Sequence, residues 1–267
     1  MTVNDDDLMH RVCDTVHGYL EVGNEVFEAN GARFVRNRSC PRRYDANHVA
    51  HVQCAVTTEI ARLLQRVESE FAEFRHRRFE VNPFTPQQFV ARLTIDDYTF
   101  SETLQMVLHG ELQARPRAVD IRLVHSEPEW LAYGELVALE WDERTHQSER
   151  APDPDTLADF MTNKRCQSPA IRHWLAYEEG VACAYFSSWP GRNGVGIVED
   201  LFTVPARRHR GIATALIVHA VADARARGAG PIVIGARVDD TPKHLYAAMG
   251  FEPLLLTRQY LRVASST

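Results

Sequence analysis

No stretch of the 267 residues approaches the ~18 uninterrupted apolar positions of a membrane-crossing helix. The opening MTVNDDDLMHRV is acidic where a secretory leader would be basic, so the sequence predicts a soluble, cytoplasmic protein without membrane contact. Positive charge is also short: 30 Lys and Arg face 36 Asp and Glu, and a net charge of -6 denies the chain a global field for nucleic acid. Lysine is nearly missing, with Lys164 and Lys243 alone, which reads as genome composition. The five cysteines, Cys13, Cys40, Cys54, Cys166 and Cys183, are odd in number and form no C-x-x-C pair, so reduced thiols in a cytosol are the simplest reading. His48 and His51 stand three apart but lack a third ligand, and no metal is expected.

What is present is ordinary globular material, 45% hydrophobic and 25% charged, enough for one large or two small domains. Leu8, Val12, Val16, Leu20 and Val22 predict one amphipathic helix within 3–30. GARFVRNRS reads as a strand. Ile60, Leu63, Leu64, Val67 and Phe71 share a stripe that predicts a helix over 57–74, capped by Thr57 or Thr58. Thr85 and Pro86 read as the N-cap and first residue of a short helix. Residues 99–112 fit strand or helix equally. Arg115, Pro116 and Arg117 then separate two apolar stretches, so a boundary is placed there, giving domains 1–116 and 117–267. A helix over 127–140, a charged proline-containing loop over 142–155 and a helix over 156–163 follow. Three crowded strands come next: HWLAY, VACAYFSSW and GIVEDLFTV. Arginines 33, 36, 38, 42, 43, 75, 77 and 78 read as a mixed solvated face, interrupted by Asp45 and Glu80.

The informative run lies within 195–251. An apolar strand stops at Pro205, ARRHRG follows, and IATALIVHAVADARARG is a strong helix closed by Gly228. The first amides of such a helix point outward unpaired, and Gly211 lets a ligand approach the backbone. With Arg207, Arg208 and Arg210 beside it, this loop suits a single diphosphate. It is not a Walker A loop, because G-x-x-x-x-G-K-[ST] occurs nowhere. Nor is it a dinucleotide fingerprint, since G-x-G at Gly194 and Gly196 meets Glu199 where the third glycine belongs. Arg208-His209-Arg210-Gly211-Ile212-Ala213 fits [QR]-x-x-G-x-[GA]. About thirty residues on, after PIVIGARV, stands TPKHLYAAMGF, a short helix opened by Pro242 and closed by Gly250.

This ordered set resembles the GNAT (GCN5-related N-acetyltransferase) superfamily over about 119–263. VEDLFTVPARRHRGIA and DDTPKHLYAAMGF are similar to a bacterial subgroup with an extra N-terminal region, and 33–112 resemble its leading half, a candidate degenerate second GNAT-like domain. The resemblance implies an α/β (α+β) fold with a mixed central sheet flanked by helices, and acetyl-CoA as co-substrate. It implies that Leu201, Phe202 and Thr203 hold the pantetheine arm by their backbone, and that Arg208, His209, Arg210, Gly211, Ile212, Ala213 and Thr214 cradle the pyrophosphate. Tyr246 occupies the position of the acid that protonates the leaving thiolate. Asp239 departs from the common Asn. Trp189 and Pro190 are candidates for acceptor contact. For the base, Glu199 is favoured over Asp200, because strand alternation sends the two to opposite faces.

These residues predict an N-acetyltransferase in which an amine on a small molecule or peptide attacks the thioester directly in a ternary complex. Nucleic acid is not an expected partner, and oligomeric state is not legible. The competing reading is a non-catalytic acyl-CoA-binding or protein-interaction module. A third is transfer of a longer acyl group on the same fold.

Overall fold

The computed structural model describes residues 3–147 and 154–263. Among them the chain forms α1 (Val3–Glu21), β1 (Glu25–Ala29), β2 (Ala32–Arg36), β3 (His48–Ala50), α2 (Thr57–Glu70), β4 (His76–Val81), α3 (Gln87–Ile95) and β5 (Thr99–Leu108). After the segment holding Pro116 come β6 (Asp120–Leu123), α4 (Glu127–Gln147), α5 (Pro154–Gln167), β7 (Arg172–Glu178), β8 (Val181–Trp189) and β9 (Gly196–Thr203). The chain ends with α6 (Ile212–Ala226), β10 (Ile232–Arg237), α7 (Pro242–Ala248) and β11 (Glu252–Val263).

All these strands join one sheet, in the order β1-β2-β3-β4-β11-β5-β10-β9-β8-β7-β6. The order contains a repeat. In β1-β2-β3-α2-β4-α3-β5, the first three strands pair antiparallel and the third runs parallel to the fourth. β7-β8-β9-α6-β10-α7-β11 repeats every one of those relations. The two last strands are exchanged. β5 lies between β10 and β11, and β11 lies between β5 and β4, so each repeat is completed by the final strand of the other. Hydrogen bonds from Gln105 Nε2 to Thr257 Oγ1 (2.9 Å) and Gln259 Nε2 to Ser101 Oγ (2.6 Å) fasten the central pair.

Apolar residues line both faces. The second repeat packs Leu216, Ala220 and Val221 of α6 against Trp174, Phe186 and Ile232. The first packs Leu63 and Val67 of α2 with Phe34, Phe79 and Phe89. α1 is covalently part of the first half, yet its Val12, Cys13 and Tyr19 pack on Trp189, Val195 and Ile197 of the second.

Several local expectations change. The single helix within 3–30 stops at Glu21, and β1 forms a hairpin with β2 across Asn30-Gly31, the dipeptide of tight two-residue turns. Residues 99–112 resolve as strand, because β5 pairs on both sides. α2 ends at Glu70 and starts after Val56, without a threonine cap, and α3 starts one residue later than Pro86 implied. α4 continues to Gln147, so part of the expected charged loop is helical, and its residues 148–153 lie outside the described residues. His48 lies on β3 and His51 just after it, not on a helix. The segment 33–78 is ion-paired rather than merely solvated: Arg36 binds Glu25 and Glu70, while Arg78 binds Asp45 and Glu80. No helix among the described residues is long and apolar enough to cross a membrane.

Candidate active site

β9 and β10 run parallel only from Gly196 with Ile232 to Val198 with Ile234; beyond that they part. The cause lies within β9. Its pairing with β8 slips between Tyr185 and Ser187, and Asp200 adopts a positive φ of 62°, a β-bulge that bends the strand away from β10. Beyond the parting, Leu201, Phe202 and Thr203 have no pairing to β10 and line an open cleft. The Thr203 hydroxyl is buried without a hydrogen-bond partner.

Beyond Thr203 the chain turns at Pro205, passes His209 (φ 59°) and Gly211 (φ 76°), and enters α6. Gly211 is the N-cap in left-handed conformation, and no side chain caps the helix, so its first amides stay free for a ligand. A Cβ at Gly211 would meet only the Arg117 side chain, at 3.6 Å, so the backbone lies open. These elements form one wall of a cleft of about 960 Å³; Arg237, Asp239, Asp240, Pro242 and Leu245 form the other. The loop's arginines are not idle charges. Arg208 makes a bidentate pair with Glu143 (2.8 and 2.5 Å) and donates Nε to the Thr203 carbonyl. Arg207 and Arg210 pair with Glu178, and Asp239 pairs with Arg237. A diphosphate entering here would meet helix amides directly and the guanidinium groups in competition with carboxylates.

At the parting the cleft opens into a cavity of about 320 Å³ that shares Glu140, Arg144, Leu201, Arg237, Asp240 and Pro242 with it. Tyr246 lines this cavity from α7 and is only 4% exposed. Burial, with the nearby Glu199 and Asp240 carboxyls, raises its phenol well above the ordinary tyrosine value, which keeps it a proton donor. Glu199 and Asp200 line the same cavity. This corrects the expectation of opposite faces: the bulge inserts a twist between the two residues, and strand alternation no longer applies.

The two acids are opposite in character. Burial and the Asp200 charge raise Glu199 to about 8, although amide hydrogen bonds from Asp200 and Gly235 favour the ionised form. Its carboxyl lies across β10 above Gly235, where a Cβ would come within 2.6 Å of Oε1. Burial alone would raise Asp200 too. The Lys164 ammonium at 2.6 Å and the Tyr19 hydroxyl at 2.7 Å outweigh it and hold Asp200 at about 2. Lys164 is 1% exposed, and nothing in the sequence marked it or Tyr19.

Both acids also face a third, inner cavity of about 180 Å³, bounded by the sheet, α1 and α5. Arg43, Asp45, Arg78 and Glu80, from the first repeat, form much of its wall. Trp189 does not line this path. It is 5% exposed and packs beneath α1 near Gly18, because Ile197 and not Trp189 faces the inner cavity.

An uncapped helix after a parted parallel strand pair, on a mixed sheet clad by helices, defines an acyl-CoA N-acyltransferase fold. Residues 134–251 match the model of the Acetyltransferase (GNAT) family. A GCN5-related N-acetyltransferase from Kribbella flavida shares the fold with TM-score 0.71 and 17% identity, over 97% of this chain and 96% of that one. A conserved protein of unknown function from Staphylococcus epidermidis aligns with TM-score 0.67 and 14% identity, over 91% and 96%. A tandem GNAT protein from the clavulanic acid biosynthesis pathway aligns with TM-score 0.58 and 13% identity, over 88% and 79%. No curated protein matches the sequence.

Proposed function

We propose that this chain is an acetyl-CoA-dependent N-acetyltransferase whose second repeat carries the chemistry and whose first, within 1–116, is a degenerate GNAT-like domain. The observation that carries this reading is Glu199, set where β9 and β10 part and lining both the cavity next to the donor cleft and the inner cavity behind it. A group so placed touches both sides of an acyl transfer.

In this reading the backbone of Leu201 to Thr203 and the orphan Thr203 hydroxyl hold the donor's amide arm. Residues Arg208 to Thr214 hold its diphosphate, and acetyl-CoA supplies an activated acetyl thioester. Glu199, as carboxylate, takes a proton from the acceptor ammonium, and the neutral nitrogen attacks the carbonyl carbon. The C–N bond forms as the C–S bond breaks. The departing sulfur takes the Tyr246 phenolic proton, and the surplus proton on the new amide nitrogen restores the phenol through solvent. Lys164 and Tyr19 keep Asp200 ionised, and its charge helps keep the Glu199 pKa high enough to accept a proton near neutrality.

The decisive experiment combines a thermal shift with a thiol-release assay. Acetyl-CoA is expected to raise the melting temperature, and free CoA to appear only when an amine is added. Tyr246→Phe should retain the shift and lower kcat by about 100-fold or more, the range of general acid catalysis. A shift without thiol release from any amine would instead identify a binding module.

A further inference from the structure

The inner cavity suggests what the acceptor is. Besides the Tyr19 phenol, which donates to Asp200, seven acidic or basic side chains face it, and six are already matched: Arg43 with Asp45, Arg78 with Asp45 and Glu80, and Lys164 with Asp200. Glu199 is the remaining one and has no salt bridge among the described residues. The wall therefore has one carboxyl to offer an ammonium and no free cation to offer a carboxylate or phosphate.

Three buried polar atoms around the same cavity have no hydrogen-bond partner: Gln105 Oε1, Gln167 Oε1 and Arg43 Nε. Gln105 and Gln167 are 2% and 3% exposed. Gln105 spends its amide nitrogen on Thr257, so its oxygen is left toward the cavity, 3.4 Å from where a Cβ on Gly235 would stand beside Glu199. Unpaired buried acceptors are costly unless a ligand or water fills the role. Two acceptors and one donor, spaced around a single carboxyl, match hydroxyl groups, which give and take hydrogen bonds. A volume of about 180 Å³, the smallest of the three connected spaces, suits a compact molecule.

We propose that this cavity, walled by both repeats, is the acceptor subsite, and that it takes a small hydroxyl-bearing primary amine without an anionic group. Gln105, Gln167 and Arg43 are its specificity-determining residues. This rests on the acetyltransferase reading above and adds the acceptor class to it.

The test compares matched probes on the intact chain: ethanolamine against glycine, serinol against serine, and ethylenediamine as the doubly charged control. The amino alcohols should exceed the aminocarboxylates in kcat/KM by at least about tenfold, the loss expected when a buried carboxylate finds no partner. Gln105→Met and Gln167→Met should each raise KM for serinol about tenfold while keeping the acetyl-CoA thermal shift, which shows that they fold. Gln105→Glu, by adding a negative charge, should turn preference toward ethylenediamine. A chain that binds acetyl-CoA but uses glycine or serine as well as the amino alcohols, or uses no amino alcohol at all, overturns this inference and leaves the donor reading standing. Absence of any acetyl-CoA shift overturns both.

Discussion

Glu199 and Asp200 are adjacent carboxylic acids on one strand, and their surroundings push them apart in acidity. That separation has a measurable sign. Unfolded, Glu199 ionises near the ordinary value of 4.5; folded, it holds its proton to about 8. Stability from this group is therefore full below about 4.5, declines as pH rises toward 8, and is lost above it. Glu199→Gln should be more stable than the parent at pH 9, by about 2–4 °C for each ~1 kcal/mol relieved, and this advantage should shrink by pH 6. Its acetylation rate should fall by about 100-fold or more, and the rising limb near pH 8 in the parent's kcat/KM profile should disappear. Asp200 works in reverse. Its stabilising contribution is present above 3.8 and is lost as pH falls through about 2, since Lys164 and Tyr19 favour the charged form. Removing Lys164 leaves a buried carboxylate without its cation. Lys164→Met should cost about 3–5 kcal/mol in urea denaturation, and Lys164→Met with Asp200→Asn should recover most of the loss, because the unpaired charge is then gone.

At the scale of elements, the bulge in β9 and glycine at 235 in β10 form one device. The bulge opens the edge, and the missing side chain at 235 makes room for the Glu199 carboxyl. Gly235→Ala places a Cβ 2.6 Å from Glu199 Oε1 and 3.1 Å from Thr103 Cγ2, so the flexible acid must yield before the strand does. Melting temperature should hold within about 2 °C, while kcat should fall about tenfold or more, because displacing a reacting group by an ångström is enough. A fall in stability with unchanged kcat would argue against this device. Here too lies the division between what could be read from sequence and what could not. The run from Leu201 to Thr214 was legible because strand, tight loop and helix follow one another within a few residues, and glycine and proline mark their joints. The relation of Glu199 to Asp200 was not, because a bulge carries no local signature against an alternating pattern. β1 hid inside an apparently helical spacing, although Asn30-Gly31 marks its turn.

For the whole molecule, the strand exchange decides what can stand alone. The inner wall brings Gln105 and Thr257 together across 152 positions, and Arg43 and Arg78 meet Asp200's surroundings from the other half. Local patterning cannot report such pairings, which is why these arginines read as a solvated surface. A fragment of residues 117–267 lacks the strand between β10 and β11, and a fragment of 1–116 lacks the one between β4 and β5. Each should express as an insoluble or dye-binding, loosely packed chain, whereas co-expression should yield a soluble complex. The intact protein should unfold in one calorimetric transition, since the central strands belong to both repeats; two separated transitions would count against that coupling. The same exchange bears on the history of the gene. The first repeat has no glycine or arginine in HVQCAV, the loop preceding α2, where the second has its Arg- and Gly-bearing turn before α6. Selection on ligand binding at that loop does not explain why the copy persists. A deletion or early stop that removed it would also strip a strand from its sibling. Two units that have traded their last strands must be kept together, whichever of them carries the chemistry.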